Sequence, residues 1–374
     1  MRISKQLFQS QYLIDFDVNK NPTSYLIDHG PFLYFSTPGI PLYLPIGSKI
    51  LTSIENICLR EAEQLEFDLV DIPKLIHSEL LVLGEDFSSG FLDQFIFLKD
   101  RMKKFHLLST PEPYFIGILK DGLQTYTQLP LKIFFNAQFY RQLREVKGIL
   151  KTREFKMLAG VWLDERESLP INGINNFGLY IERIAKLFSL DLKNTLNSEI
   201  PYQEYFYPHA EGEEQFNAQP AISLSMAYRY GKQKSIKTRY RTKNNDNNHA
   251  EFTTFGMGLQ RLFFIILDNY RDSLGFNLPS GIRPFDIAII PSKDTCISKA
   301  LDLADKLSAD YKKLLIDDRK NVCIKSKCNL SDFLGTPVKI VVKENTFSIE
   351  KRSNGHESHS FDLERLRSSF FSNA

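Results

Sequence analysis

The residues with the most chemistry to offer lie in residues 134–163, FFNAQFYRQLREVKGILKTREFKMLAGVWL. Two apolar, aromatic-rich runs, FFNAQFY and REFKMLAGVWL, flank a basic loop holding Gly148, which predicts an antiparallel strand pair joined by a wide hairpin. Cationic side chains on a hairpin over a sheet suit a phosphate ligand, and Arg141 and the triplet Arg153-Glu154-Phe155 are the candidate contacts. A second group is the TPEP turn. Glu112 has the charge to pair with an ammonium and Thr110 the hydroxyl to hydrogen-bond it, although taken alone the segment is a rigid turn. A third is EFTTFGMGLQRLFFIILDNY, which predicts a strand, a turn at Gly256 and Gly258, and an apolar helix. Arg261 falls in the first turn of that helix, where free backbone N–H groups and the dipole favour an anion.

Two further segments carry dense charge. The run KQKSIKTRYRTK, with Lys232, Lys234, Lys237, Arg239, Arg241 and Lys243, reads either as a solvated strand pair or as a surface for a nucleic-acid backbone. HAEGEEQF brings His209, Glu211, Glu213 and Glu214 close in sequence; a solvated acidic loop is the better reading than a metal cluster. No metal ligand is assigned.

The 374 residues, 43% hydrophobic and 25% charged, suffice for two or three packed domains. A net charge of +2 neither requires nor repels nucleic acid. Cys58, Cys296, Cys323 and Cys328 form no C-x-x-C pair, which argues against a structural zinc site and fits a reducing compartment. No apolar run approaches the ~18 residues of a membrane span, and the N-terminus lacks the apolar stretch of a secretory signal. Residues 1–14 hold Arg2 and Lys5 and no acid, a weak organellar presequence pattern, so a cytoplasmic protein is expected, with mitochondrion or another organelle as the alternative.

The elements that must position these residues follow in order. Residues 49–66 have helical apolar spacing and lead into FDLVDIPKL, a strand expected to end at Pro73. A helix over residues 175–190 and a strand in AISLSMAYRY precede the Gly256 turn. After LPSGIRP, the buried-type strand FDIAIIP, a helix over 296–311, KKLLIDD, a helix at SDFLG and TPVKIVV alternate as βαβ units, implying a small mixed sheet covered by helices.

Taken together, these segments resemble class II aminoacyl-tRNA synthetases, and in particular the prolyl enzymes, over nearly the whole chain. Residues 42–75, with GIPLYLPIG, resemble motif 1, residues 134–163 motif 2 and residues 251–270 motif 3. The resemblance implies an antiparallel sheet core flanked by helices over residues 1–279, followed by an α/β anticodon-binding-like domain with a mixed five-stranded sheet over residues 280–374. No room exists for the editing insertion many bacterial prolyl enzymes carry. In the family the motif 2 Phe, here Phe155, stacks on the ATP adenine, the opening Arg holds the α-phosphate, and the motif 3 Arg, here Arg261, meets the γ-phosphate. The opening half of motif 2 departs from F-R-D-E. Counting back from Arg153 without a gap puts Tyr140 at the Arg and Gln142 at the Glu; a loop one residue shorter restores Arg141 and puts Leu143 at the Glu.

Other departures follow the same pattern. TPEP keeps the Thr and first Glu of the family's T-H-E-E amino-acid loop at Thr110 and Glu112, with Pro111 and Pro113 replacing the rest. AISLSMAYRYGKQKS, aligned on the L-E-V-G-H-x-F-Q-L-G-T-K-Y-S strand through Gly231 and Ser235, puts Ser223 at the Glu, Ser225 at the Gly and Met226 at the proline-pocket His. ATP is the implied cofactor, while a usual position for a Mg²⁺ ligand holds Ser223. Motif 1 implies a homodimer across residues 49–73, with Pro73 at the symmetric edge. The expected function is a non-catalytic, dimeric prolyl-tRNA synthetase-like protein that binds tRNA or another nucleic acid or serves as an accessory subunit to a protein partner. The alternative is a divergent ligase forming an aminoacyl-adenylate through Arg141, Arg153, Phe155 and Arg261.

Overall fold

The computed structural model describes residues 1–83, 92–98, 104–165, 172–197, 202–230, 238–352 and 358–361. By compactness the chain falls into two units, one of Phe35–Pro41 and Ile54–Ile266, the other of Met1–Tyr34, Leu42–Ser53 and Leu267–Ala374. The mixed α+β architecture expected from the sequence is present: an antiparallel sheet core and a separate mixed five-stranded sheet.

The first unit is organised on a sheet of eight strands. In chain order they are β1 (Asp68–Leu69), β2 (Leu131–Tyr140), β3 (Glu154–Asp164), β4 (Lys193–Asn197), β5 (Tyr202–Pro208), β6 (Glu214–Phe216), β7 (Gln219–Tyr230) and β8 (Glu251–Gly258). The spatial order is β1-β2-β3-β8-β7-β5-β4, with β6 paired to β7. The pairings are antiparallel except the two-residue contact of β1 with β2, which is parallel.

The central strands are largely buried on both faces, so their sequences are dominated by apolar stretches such as LAGVWL of β3. One face carries Phe135, Phe139, Ala159, Val161 and Phe252, packed with Phe115, Ile116 and Leu119 of α2 (Glu112–Gly122), which follows α1 (Pro45–Gln64) in the chain. The other face carries Phe134 and Phe255, which pack with Phe67 and with Phe177 and Tyr180 of α3 (Asn172–Leu187). Phe177 lies parallel to Phe255 at 4.8 Å between centroids. Arg183 ties α3 to α1 through Glu61 at 2.8 Å, and the Tyr180 hydroxyl donates to the Cys58 carbonyl at 3.2 Å.

The helices expected over 175–190, over 296–311 and at SDFLG span Asn172–Leu187, Ile297–Leu307 and Ile324–Phe333, and two further boundaries differ in the segment 42–75. The helix expected over 49–66 begins at Pro45, a residue suited to the first helical turn because its missing N–H is not needed there, and gives way at Glu66, whose φ is +61°. The strand expected to reach Pro73 stops at Leu69; only the Val70 N–H still reaches the Phe134 carbonyl, at 2.9 Å. Pro73 is exposed beyond the edge strand. No helix among the described residues is long and apolar enough to cross a membrane.

The second unit holds α4, Leu259–Asn269, only by its last residues, then β9 (Ile287–Pro291), α5 (Ile297–Leu307), β10 (Leu314–Ile316), α6 (Ile324–Phe333), β11 (Val338–Val342), β12 (Phe347–Lys351) and β13 (Ser358–Phe361). The sheet order is β10-β9-β11-β12-β13, parallel among the first three and antiparallel after them. Ala300, Leu303, Ala304 and Leu307 form the stripe by which α5 covers Ile287, Ile289 and Ile340. The sequence LIDDR at the end of β10 is fully used: Asp318 accepts from Arg2 and from Ser4, and Asp317 holds Arg319, whose Nη1 donates to the Tyr12 carbonyl at 2.7 Å.

Candidate functional site

A cavity of about 800 Å³ opens on the α2 side of the eight-stranded sheet. Its first wall is the β2–β3 hairpin. Phe139 pairs with Phe155 and Tyr140 with Glu154, and the ladder runs one residue past both strands because the Arg141 N–H donates to the Arg153 carbonyl at 2.8 Å. Side chains alternate between the faces of a strand, so Arg141 and Phe155 share the cavity face with Phe139, while Tyr140 and Glu154 turn away. The residue that enters the cavity is therefore Arg141, with Leu143 and not Gln142 beside it. The Arg141 guanidinium lies over the Phe155 ring at 5.2 Å, and its Nε donates to the Ser109 carbonyl at 3.3 Å.

Arg153 does not line the cavity. Its N–H donates to the Gly39 carbonyl at 2.8 Å, and its side chain packs beside Gly39, where a Cβ would stand 2.7 Å from Val146 and 3.1 Å from Arg153 Cγ. With φ at +81° as well, glycine is the residue this turn accommodates.

The second wall is the turn entering α2. The end of β2 is pinned to it, since the Tyr140 N–H donates to the Leu108 carbonyl and the Ser109 hydroxyl to the Tyr140 carbonyl, both at 2.8 Å. Thr110 donates its hydroxyl to the Glu112 carboxylate, and Thr254 on β8 also hydrogen-bonds it. Burial raises the Glu112 carboxyl above the usual range, opposed by hydrogen bonds and by the Arg141 charge. Burial likewise lowers Arg141, with Glu112 opposing and Arg261 adding to the shift.

The third wall comes from β7, β8 and the start of α4. Gly256 and Gly258 end β8, and Arg261 follows as the third residue of α4. Its Nη1 donates to the Ser223 carbonyl at 2.6 Å and its Nε to the Leu150 carbonyl at 3.3 Å, joining the sheet to the hairpin loop. Ser223 donates its hydroxyl to Glu204 of β5 at 2.5 Å. A β-bulge lies between Ser223 and Ser225. Met226, opposite both Gly256 and Glu204, is 49% exposed within the cavity wall.

The structure thus gathers Thr110, Glu112, Arg141, Phe155, Met226, Gly256, Gly258 and Arg261, and leaves Arg153 and Glu154 outside. It also adds Glu213 and Glu214, which line the cavity near Arg261. Lys151 of the hairpin loop is ion-paired with Glu213 at 3.3 Å. Only the opposite charges of the two segments, 62 positions apart in the chain, hinted at this contact. Among the described residues no three His, Cys, Asp or Glu side chains gather as a metal site.

Lys232, Lys234 and Lys237 lie outside the described residues. Arg239 and Arg241 are exposed on the strand Arg239–Arg241, paired to Asn247–His249, with Tyr240 buried between them and Lys243 exposed in the turn that follows; none of them lines the cavity.

No protein-family model matches the chain. It is similar to the proline–tRNA ligase of Thermoplasma acidophilum, 23% identical over 85% of this chain and 72% of that one. It is also similar to the probable mitochondrial proline–tRNA ligase of Schizosaccharomyces pombe, 22% identical over 94% of this chain and 93% of that one. In structure it matches the Giardia lamblia prolyl-tRNA synthetase in complex with prolyl-adenylate, with a TM-score of 0.72 at 17% identity, over 90% of this chain and 73% of that one.

Proposed function

We propose, for a chain whose sequence and structural relatives are class II prolyl-tRNA synthetases at low identity, a non-catalytic binding role built on a retained adenylate-shaped cavity. The carrying observation is Arg141 over Phe155: the ring that would meet an adenine is packed on Phe139 and faced by the chain's own guanidinium. The other two cations of the cavity are engaged as well, Arg261 by two backbone carbonyls and Lys151 by Glu213. Phosphoryl chemistry depends on pre-placed positive charge, and removing one such interaction typically costs about two to three orders of magnitude in rate.

ATP fits as a ligand when Arg141 leaves the Phe155 ring for the phosphates, with Phe155 toward the base and Arg261 toward the phosphates, while Thr110 and Glu112 suit the ammonium of an amino acid. Mg²⁺ fits less well, because Ser223 stands at the usual carboxylate position and its nearest carboxylate, Glu204, already accepts the Ser223 hydroxyl. We assign residues 1–279 to the synthetase-like core and 280–374 to an anticodon-binding-like unit, place tRNA or another nucleic acid on the latter and on the basic strand, and infer a homodimer across residues 49–73. The compartment we infer is the cytoplasm, with the mitochondrion as the alternative in view of the fission-yeast relative.

A second reading is favoured by the presence of Arg141 and Arg261 in one cavity with Thr110 and Glu112: a divergent ligase that activates proline or another amino acid. Proline-dependent ATP–pyrophosphate exchange separates the two. We expect no exchange above background. Robust exchange that disappears in Arg141→Ala would establish the ligase instead.

A further inference from the structure

We propose that Glu213 and Glu214 are built-in counter-anions that hold down the affinity of the Arg261 end of the cavity for polyphosphate. This rests on the reading of that end as the phosphate end. The two carboxylates are not a loose tail. The preceding turn is closed by the Gly212 N–H on the His209 carbonyl at 3.0 Å and the Glu211 N–H on His209 Nδ1 at 3.1 Å. Gly212 sits so close to β7 that a Cβ there would be 2.2 Å from the Ala221 carbonyl, an approach only glycine allows. Glu214 is then fixed in register opposite Ala221.

The basic loop facing them is equally closed. Lys147 and Lys151 exchange backbone hydrogen bonds at 3.0 and 3.1 Å around Gly148. Lys147 Nζ donates to the Glu211 carbonyl at 2.6 Å, and Lys151 reaches Glu213 with both side chains about a third exposed, 33% and 29%. Two loops distant in sequence are thus held face to face by charge. The Arg261 guanidinium is buried beside them, and Glu214, Glu213 and Glu204 partly offset the loss of hydration that lowers its pKa.

The lining of the cavity accordingly balances, with Arg141, Lys151 and Arg261 against Glu112, Glu213 and Glu214. A triphosphate arriving at Arg261 meets one cation already paired and two like charges carried on a backbone held by the turn and the strand register. A ligand with a single phosphate in an ester or anhydride, such as an adenylate, brings less charge and is repelled less.

The test is calorimetric titration of the full chain with ATP and, separately, with AMP, in chelator and at low salt, for the wild type, Glu213→Gln and Glu213→Gln/Glu214→Gln. We expect the single variant to bind ATP about tenfold more tightly, with AMP changed far less and the gain shrinking at high salt. Lys151→Ala should weaken ATP binding in the wild type, because it leaves Glu213 unpaired, and should remove part of the gain in the Glu213→Gln background; the difference between the two effects is the coupling that a double-mutant cycle reads. Equal or weaker ATP binding in the glutamine variants, with AMP still bound, overturns the counter-anion proposal and leaves the nucleotide reading standing. Absence of both ATP and AMP binding in every variant overturns both.

Discussion

His106 gives the structure a measurable acid sensitivity. It lies on Phe105–Leu107, which pairs with Leu75–His77 and leads directly to Ser109 and Thr110 at the cavity. The imidazole is 2% exposed, packed against Phe95 at 5.3 Å and Phe97 at 5.8 Å, and its Nδ1 is buried without a hydrogen-bond partner among the described residues. Burial alone lowers its pKa from 6.5 to about 4. The folded pKa is therefore below the unfolded one, and the unfolded chain binds the proton first. Stability is fully present above pH 6.5 and is lost as the pH falls toward 4. At ~1.36 kcal/mol per unit, the difference sets a ceiling of about 3 kcal/mol, of which roughly 2.5 kcal/mol is gone by about pH 4.5.

Urea unfolding at neutral pH and at about pH 4.5, followed by the fluorescence of Trp162, measures this loss. Trp162 is the single tryptophan of the chain and lies on β3, in the same unit as His106. His106→Phe keeps an apolar ring in the site, and every carboxylate that titrates in the wild type titrates in the variant too. The wild type should lose about 2.5 kcal/mol more than the variant between the two pH values. An equal loss in both proteins would refute the assignment of His106 as a neutral buried group.

Three other outcomes are expected. Arg141→Ala should weaken the binding of a prolyl-adenylate analogue by at least tenfold, and Tyr140→Ala, which changes the opposite face of the same strand, by less than threefold; the reverse order by calorimetry would restore the gap-free count of the hairpin. Sedimentation at micromolar concentration should give a dimer, and lysine at the exposed edge residues Leu69 and Val70 should shift it to monomer; a monomeric wild type would contradict the inferred interface. Charge reversal at Arg239, Arg241 and Lys243 should weaken tRNA binding alike for all sequences and flatten its salt dependence by about one unit of slope for each phosphate no longer neutralised; binding indifferent to these changes places the surface elsewhere.

Local pattern made much of this fold legible. The β2–β3 hairpin announced itself through two aromatic runs around Gly148, and the turn from β8 into α4 through Gly256, Gly258 and an apolar helix behind Arg261. The second unit was legible because strands buried on both faces leave apolar runs, unbroken in IAIIP and interrupted only by Lys339 in VKIVV.

What could not be read was phase and long-range charge. Whether Tyr140 or Arg141 entered the cavity depended on one extra ladder bond beyond the strand end, which no spacing in the chain encodes. The end of β1 at Leu69 reflects an edge strand with a single neighbour, β2, and its composition could not reveal that. The pairing of Lys151 with Glu213, and of Ser223 with Glu204, needed the sheet to bring separate segments together before either interaction existed.

The bulge in β7 sets a limit on how that strand can be compared with its relatives. Ser223 lies opposite Phe206, and Met226 opposite Glu204; Phe206 and Glu204 are two apart on β5 and share a face. Odd and even positions of β7 therefore point the same way on the two sides of Leu224, and the strand changes phase within three residues. An alignment drawn straight through this stretch from Gly231 back to Ser223 assigns facing correctly on both sides of the bulge only when the relative has the same extra residue. Removing Leu224 would close the bulge and leave Ser223, Ser225 and Met226 opposite Phe206, Tyr205 and Glu204 in turn, so the facing of this cavity wall survives the loss of the extra residue while the local distortion of the strand does not.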